Sequence, residues 1–154
     1  MAGWGRSLQL ASIMALMSAS AWAAPEPIGA ERCGTCHEKE YQDWKGSAHA
    51  QALARLSAPK QRDPVCRSCH TTAPTKTDPA LAGVQCESCH GAGSLYAPEY
   101  VMKDEKLRAL LGLEKVKEAT CRGCHDGETP STRAFDFATW VKRVNHSSTK
   151  DKGS

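Results

Sequence analysis

Hydrophobic residues recur with a helical period in three stretches of the chain, at residues 38–56, 103–119 and 132–144. The stretch at 103–119 is the clearest amphipathic helix, and Gly46-Ser47 is expected to break or recap the first stretch. No segment alternates hydrophobic and polar residues convincingly, as a half-buried β-strand does. The pattern therefore predicts helices in these three stretches.

Polar segments, rich in turn-forming residues, separate these predicted helices. Residues 57–64 form a polar connector, and residues 71–83, which contain Pro74 and Pro79, are predicted to be a loop. The chain should turn again at residues 90–93, where two glycines flank an alanine. We therefore expect long loops between the helices, within one small domain.

The first 23 residues have the pattern of a secretory signal peptide. Arg6 supplies a short positive region, a mostly apolar segment follows, and an A-W-A cleavage signal ends at Ala23. We predict a signal peptide at residues 1–23, a mature domain at 24–146 and a disordered polar tail at 147–154. The apolar segment is too short to span a bilayer comfortably, so no transmembrane span is expected after cleavage. Export would place the protein in the periplasm, and an uncleaved anchor is the alternative.

The sequence Cys-x-x-Cys-His occurs four times and uses all eight cysteines. It is the attachment motif of c-type haem, in which two thiols form thioethers with the porphyrin and the histidine ligates the iron. Zinc sites, redox dithiols and structural disulfides would not need a histidine after every second cysteine. We therefore predict four covalently bound haems, attached at Cys33, Cys36, Cys66, Cys69, Cys86, Cys89, Cys121 and Cys124, with proximal ligands His37, His70, His90 and His125.

Four haems would change both the core and the charge of this small protein. With roughly 33 mature residues per haem, the porphyrins must supply much of the buried apolar surface, and the chain without haem should fold poorly. The formal charge of the full chain is +3. Cleavage removes the positive charge of Arg6, and the haem propionates add negative charge, so the mature protein should be net negative. A nucleic-acid partner is therefore not predicted.

The supply of axial ligands for the distal faces of the irons is short. Beyond the four proximal histidines, the mature chain has only His49, His146 and one methionine, Met102. Twelve helical residues would separate His49 from His37 by about 18 Å, whereas two ligands of one iron lie about 4 Å apart. His49 should therefore reach a different haem. At least one iron is expected to lack a strong ligand from its own chain.

Two segments of the sequence resemble the tetrahaem cytochrome c-554 family. They are residues 33–50 (C-G-T-C-H-x3-Y-x2-W-x2-S-A-H-A) and residues 83–93 (G-V-x-C-E-S-C-H-G-x-G). The family contains periplasmic proteins that take electrons from hydroxylamine oxidoreductase. The resemblance implies a mostly helical multihaem cytochrome c fold with closely packed haem pairs.

The same resemblance implies a set of distal ligands. His49 would complete the third haem, held by His90, and His146 would complete the first haem, held by His37. The second haem is five-coordinate in the family. The fourth uses a histidine shortly after the third motif, where this chain has Met102 instead. Either Met102 ligates the fourth haem, or that haem is also open.

The function predicted from these features is transfer of electrons between redox proteins that meet the chain transiently. One alternative is a haem enzyme that acts on a small nitrogen oxide or peroxide at the open iron. A second alternative is a subunit of a polymeric cytochrome wire, in which a neighbouring subunit donates the missing ligands. An electron carrier, rather than an enzyme, is the leading prediction.

Overall fold

The computed structural model describes residues 24–127, 134–144 and 146. The predicted signal peptide at 1–23 and tail at 147–154 lie outside the described residues. Within the described ranges, no helix is long and apolar enough to cross a membrane. The helices there are α1 (Ala30–Gly34), α2 (Glu38–Lys45), α3 (Ala58–Arg62), α4 (Pro64–His70), α5 (Cys86–His90), α6 (Glu99–Met102), α7 (Glu105–Leu110), α8 (Glu118–Arg122) and α9 (Phe137–Val144).

Long connections join these short helices, as the sequence predicts. A 3₁₀ turn at Pro79–Leu81 interrupts the loop after α4. In the part of the chain that the structure describes, the β-type pairing consists of isolated bridges from Thr71 to Ala82 and Gly83. The predicted mostly α fold with long loops is therefore confirmed.

Several helix boundaries differ from the prediction. The first helix ends at Lys45, and residues 47–56 form successive turns rather than a continuous helix. The predicted helix at 103–119 is also too long, because α7 ends at Leu110 and Gly112 then adopts a positive φ of 101°. Conversely, α3 lies within the predicted connector at 57–64.

The helix before the second motif begins at a well-defined cap. Asp63 accepts a hydrogen bond from the backbone N–H of Val65 at 2.8 Å, and Pro64 occupies the first helical turn. This is a favourable start, because the carboxylate satisfies a free N–H group and proline has none to satisfy. The sequence thus directs a helix into Cys66-x-x-Cys69.

The polypeptide core is small. Among the described residues, the buried apolar side chains are Ala30, Ala52, Ala73, Leu81, Tyr96 and Val101. Half of this set is alanine, which buries little apolar area. The remaining hydrophobic surface therefore needs another partner, as expected for a chain that folds around porphyrins.

The loop before α5 packs closely against the turns at 47–56. Gly83 has a φ of 80°, and a Cβ atom there would lie 2.4 Å from the carbonyl oxygen of Ala50. The next residue, Val84, donates its N–H to the carbonyl of His49 at 3.0 Å. Its own carbonyl accepts from the indole N–H of Trp44 at 2.8 Å. These contacts fix the backbone that carries His49.

Candidate functional site

Each Cys-x-x-Cys-His motif occupies a single helical turn. The second motif lies within α4 and the third forms α5, whereas the first and fourth cross a helix end. Even there, the N–H of His37 bonds to the carbonyl of Cys33 at 3.0 Å, and that of His125 to Cys121 at 2.9 Å. Residues at i, i+3 and i+4 share one face of such a turn, so both thiols and the imidazole point to the same side. None of the eight cysteines forms a disulfide, so all are available for thioether attachment.

The first and third motifs meet through their leading cysteines. Hydrogen bonding between the two thiols raises the pKa of Cys33 and lowers that of Cys86, and burial raises the pKa of Cys33 further. Such a contact brings the sulfur atoms of two different motifs together. Haems attached there would lie side by side.

The second and fourth motifs meet in the same way. Burial and a hydrogen bond with Cys69 raise the pKa of Cys124. Burial also raises the pKa of Cys89, and the nearby Cys121 adds to this shift. The third and fourth motifs are therefore neighbours as well. The contacts give the spatial order first, third, fourth, second.

Two further contacts join a proximal histidine to a distant histidine. The ring centroids of His49 and His125 are 6.2 Å apart, with an interplanar angle of 56°. Those of His90 and His146 are 6.1 Å apart, with an angle of 57°. Metal–imidazole bonds are about 2 Å long, so two imidazoles on opposite sides of one iron have centroids about 6 Å apart. Each pair therefore has the separation expected of two ligands of one iron.

Backbone carbonyls hold three of the histidines in the tautomer that suits iron. The Nδ1 atoms of His70, His90 and His146 lie 2.7, 3.2 and 3.1 Å from the carbonyl oxygens of Ala52, Glu114 and Val144. A carbonyl only accepts, so Nδ1 carries the proton and Nε2 keeps a free lone pair. Such outer contacts also fix the orientation of a ligating ring.

Burial favours the neutral form of two histidines, His49 and His90. It lowers the pKa of His49, and the neighbouring His125 lowers it further. Burial is also the main cause that lowers the pKa of His90, although its hydrogen bond to Glu114 acts in the opposite direction. Only the neutral ring can ligate a metal, so this environment favours ligation.

The structure pairs the histidines differently from the resemblance. His49 was expected opposite His90, and His146 opposite His37. Instead, the turns carrying His49 are bonded to the second motif through His70 and Ala52, and the second motif contacts the fourth. His49 therefore faces His125, and His146 faces His90, which differs from the pairing that the resemblance implies.

The other predicted ligands, His37, His70 and Met102, are not paired with a second ligand in this way. No ring contact of this kind joins His37 or His70 to another histidine, although all six histidines are among the described residues. Met102 is half-buried at the end of α6, and its carbonyl accepts from the guanidinium of Arg108 at 2.7 Å. Ligation by Met102 stays a prediction, but the fourth motif already has His49 opposite its histidine.

One neighbour of the site was not predicted from the sequence. The ring of Phe135 stacks on His125 with centroids 4.9 Å apart and planes 19° apart, and the guanidinium of Arg122 lies 5.9 Å from the Phe135 centroid. A lone aromatic residue after a loop carries no sequence signal for this contact. The stack would restrain the rotation of the His125 imidazole.

The sequence and the fold of this chain are similar to those of known cytochromes. The family described as "Cytochrome c554 and c-prime" matches residues 32–91. Cytochrome c-554 of Nitrosomonas europaea is 32% identical over 56% of this chain and 47% of that protein, so the chain spans about half the length of this relative. The fold is similar to the solved structure of reduced cytochrome c554 from the same organism, with a TM-score of 0.55 and 24% identity over 78% of this chain and 79% of that one.

Proposed function

We propose that the chain is a member of the tetrahaem cytochrome c-554 family with four covalently bound c-type haems, and that it is a periplasmic electron carrier that shuttles electrons between redox proteins. Each haem iron can take up and release one electron, while the protein sets ligation, spacing and burial. The signal-peptide pattern at residues 1–23 supports the periplasmic location.

The order of the motifs is the observation that carries the proposal. Hydrogen bonds between cysteines link the first motif to the third and the fourth to the second, and electrostatic interactions of Cys89 with the cysteines of the fourth motif link the third to the fourth. Four one-electron centres in an unbroken sequence of neighbours form a conduit. A single-site enzyme would not need this arrangement.

The ligand set divides these centres into two kinds. We assign His90 and His146 to the iron of the third motif, and His125 and His49 to that of the fourth. Their centroid separations of 6.1 and 6.2 Å support this assignment. Two histidine ligands leave no position for a small molecule, so these irons can only exchange electrons.

The outer motifs have one histidine ligand each in this assignment. They are the first motif, with His37, and the second, with His70. Both lie at the ends of the motif order, so we place the encounters with transient redox partners there. Electrons would therefore enter at one end and leave at the other, through the two inner centres.

Anaerobic mixing of the fully reduced protein with an excess of an oxidised small cytochrome tests the proposal. All four irons should be reoxidised in stopped-flow absorbance, with release of four electrons per chain. His49→Ala and His146→Ala should slow this transfer, because each alters an inner centre. If one or more irons stay reduced in the wild-type protein, the conduit is contradicted.

An open iron also favours a second candidate function, the reduction of a small nitrogen oxide or peroxide. The single-histidine positions at His37 and His70 motivate it. The discriminating measurement is steady-state consumption of nitric oxide, nitrite, hydroxylamine or peroxide by the reduced protein. Sustained turnover with a chemical reductant would favour the enzyme, whereas stoichiometric oxidation without turnover favours the carrier.

A further inference from the structure

The third motif contains a buried carboxylate. Glu87, in the spacer between Cys86 and Cys89, has a relative exposure of 5%. It is the one charged side chain that is buried among the described residues. An isolated buried charge is costly unless it is hydrogen-bonded, so its retention needs a structural explanation.

Backbone N–H groups supply that explanation. The two carboxylate oxygens accept from Ile28 at 2.9 and 3.1 Å, from Gly29 at 2.8 Å and from Gly93 at 2.6 Å. None of the ion pairs in the described part of the chain involves Glu87. Neutral dipoles stabilise the ionised form without cancelling its charge. Glu87 is therefore held inside the protein by four backbone hydrogen bonds rather than by an ion pair.

This charge lies beside both motifs of one pair. Glu87 directly follows Cys86, and the carbonyl of Gly29, whose N–H it binds, is 3.5 Å from the Sγ of Cys33. Burial raises the pKa of Tyr96, and the electrostatic interaction with Glu87 raises it further. The field of Glu87 thus extends to the groups around both attachment points.

We propose, on the basis of the haem assignment above, that Glu87 is a positioning and electrostatic residue that lowers the reduction potentials of the first and third haems. A ferric centre carries one more positive charge than a ferrous one, so a nearby anion favours the ferric state. In a poorly solvated site this attraction is weakly screened. Burial, hydrogen bonding and net charge are known determinants of haem potential.

The third and fourth haems of the same chain can be compared with each other. The third and fourth haems have the same two ligands, histidine and histidine, in this assignment. Glu87 lies beside the third, whereas Glu118, which precedes the fourth motif, is exposed and paired with Arg122 at 2.7 Å. Solvent screens such a charge. In the wild-type protein, the third haem should therefore be reduced at a lower potential than the fourth.

A redox titration of the four-haem protein, followed by electron paramagnetic resonance, measures these potentials. The His146→Ala and His49→Ala variants identify which low-spin signal belongs to the third and which to the fourth haem. Glu87→Gln should favour reduction of the third haem about tenfold, a rise of about 59 mV. Glu87→Asp, which keeps the charge, should stay close to the wild type.

Gln85→Ala is the matched structural control. Gln85 is equally buried and bonds the same segment, with its Oε1 2.6 Å from the N–H of Ala30 and its Nε2 2.8 Å from the carbonyl of Ala80. It carries no charge, so its loss should weaken the packing without raising the potential of the third haem. Glu118→Gln controls for removal of an exposed charge and should also leave this potential unchanged.

Two results would overturn the role of Glu87. One is an equal rise of potential in Gln85→Ala and Glu87→Gln, which would indicate packing rather than charge. The other is a third haem that is reduced before the fourth in the wild-type protein, a result that needs no Glu87 variant to fold. Neither affects the carrier proposal, because the irons would still transfer four electrons to an acceptor.

Discussion

The imidazole of His49 faces that of His125 with 6.2 Å between their centroids, although the two residues lie in the first and fourth motif regions of the chain. The separation fits two ligands of one iron. It also means that the iron of the fourth motif would be ligated by a residue that follows the first motif. Ligation would thus cross-link distant parts of a chain whose described residues bury only a small set of apolar side chains.

This cross-link depends on the loop that packs under His49. Gly83→Ala should destabilise the holoprotein by about 2–4 kcal/mol. A left-handed alanine costs about 1–2 kcal/mol, and its Cβ would lie 2.4 Å from the Ala50 carbonyl oxygen. The displaced turn should also weaken ligation by His49. Urea unfolding measures the first effect, and loss of a low-spin resonance measures the second.

Gly112→Ala is the control for that substitution. Gly112 also has a positive φ, of 101°, but a Cβ there would meet no atom within 4 Å. It should therefore show only the backbone penalty, and both low-spin resonances should remain. Equal destabilisation by the two variants would contradict the role assigned to the contact with Ala50.

Removal of the haems should unfold much of the protein. The buried apolar side chains of the described residues are few and mostly small, so the chain alone cannot offset its conformational entropy. The polypeptide produced without haem attachment should lose most of its helical circular dichroism and show no cooperative thermal transition. A cooperatively folded apoprotein would show that the polypeptide core suffices.

Carbon monoxide should bind to two of the four irons in the reduced protein. The irons held by His37 and His70 have an open face in the assignment, whereas the other two have a second histidine. Anaerobic titration, followed by the Soret band, gives the stoichiometry. If the wild type bound one equivalent of carbon monoxide and Met102→Ala bound two, Met102 would be a ligand of an outer iron. Binding of carbon monoxide to all four irons would contradict both histidine pairs.

The attachment sites could be predicted from the sequence almost completely. The motif is local, and a single helical turn is enough to place Cys86, Cys89 and His90 on one face. The candidates His49 and His146 followed from counting, because so few unassigned histidines remain. These inferences need no knowledge of the fold.

The contacts between histidine rings could not be predicted, because sequence separation does not specify which motifs become neighbours. The position of His49 depends on the hydrogen bond from His70 to Ala52 and on the close approach of Gly83 to Ala50. The helix predicted at 103–119 was too long for a similar reason. Gly112 leaves helical geometry, and Glu114 instead bonds to the third motif at His90.

Electron paramagnetic resonance of the fully oxidised wild-type protein, His49→Ala and His146→Ala tests the two histidine pairs most directly. The wild type should contain two low-spin irons with two histidine ligands each. His49→Ala should convert only the fourth haem to another spin state, and His146→Ala only the third. Met102→Ala, as the control, should leave both signals unchanged. Four low-spin signals in a monomer, or loss of neither signal in the histidine variants, would contradict the assignment.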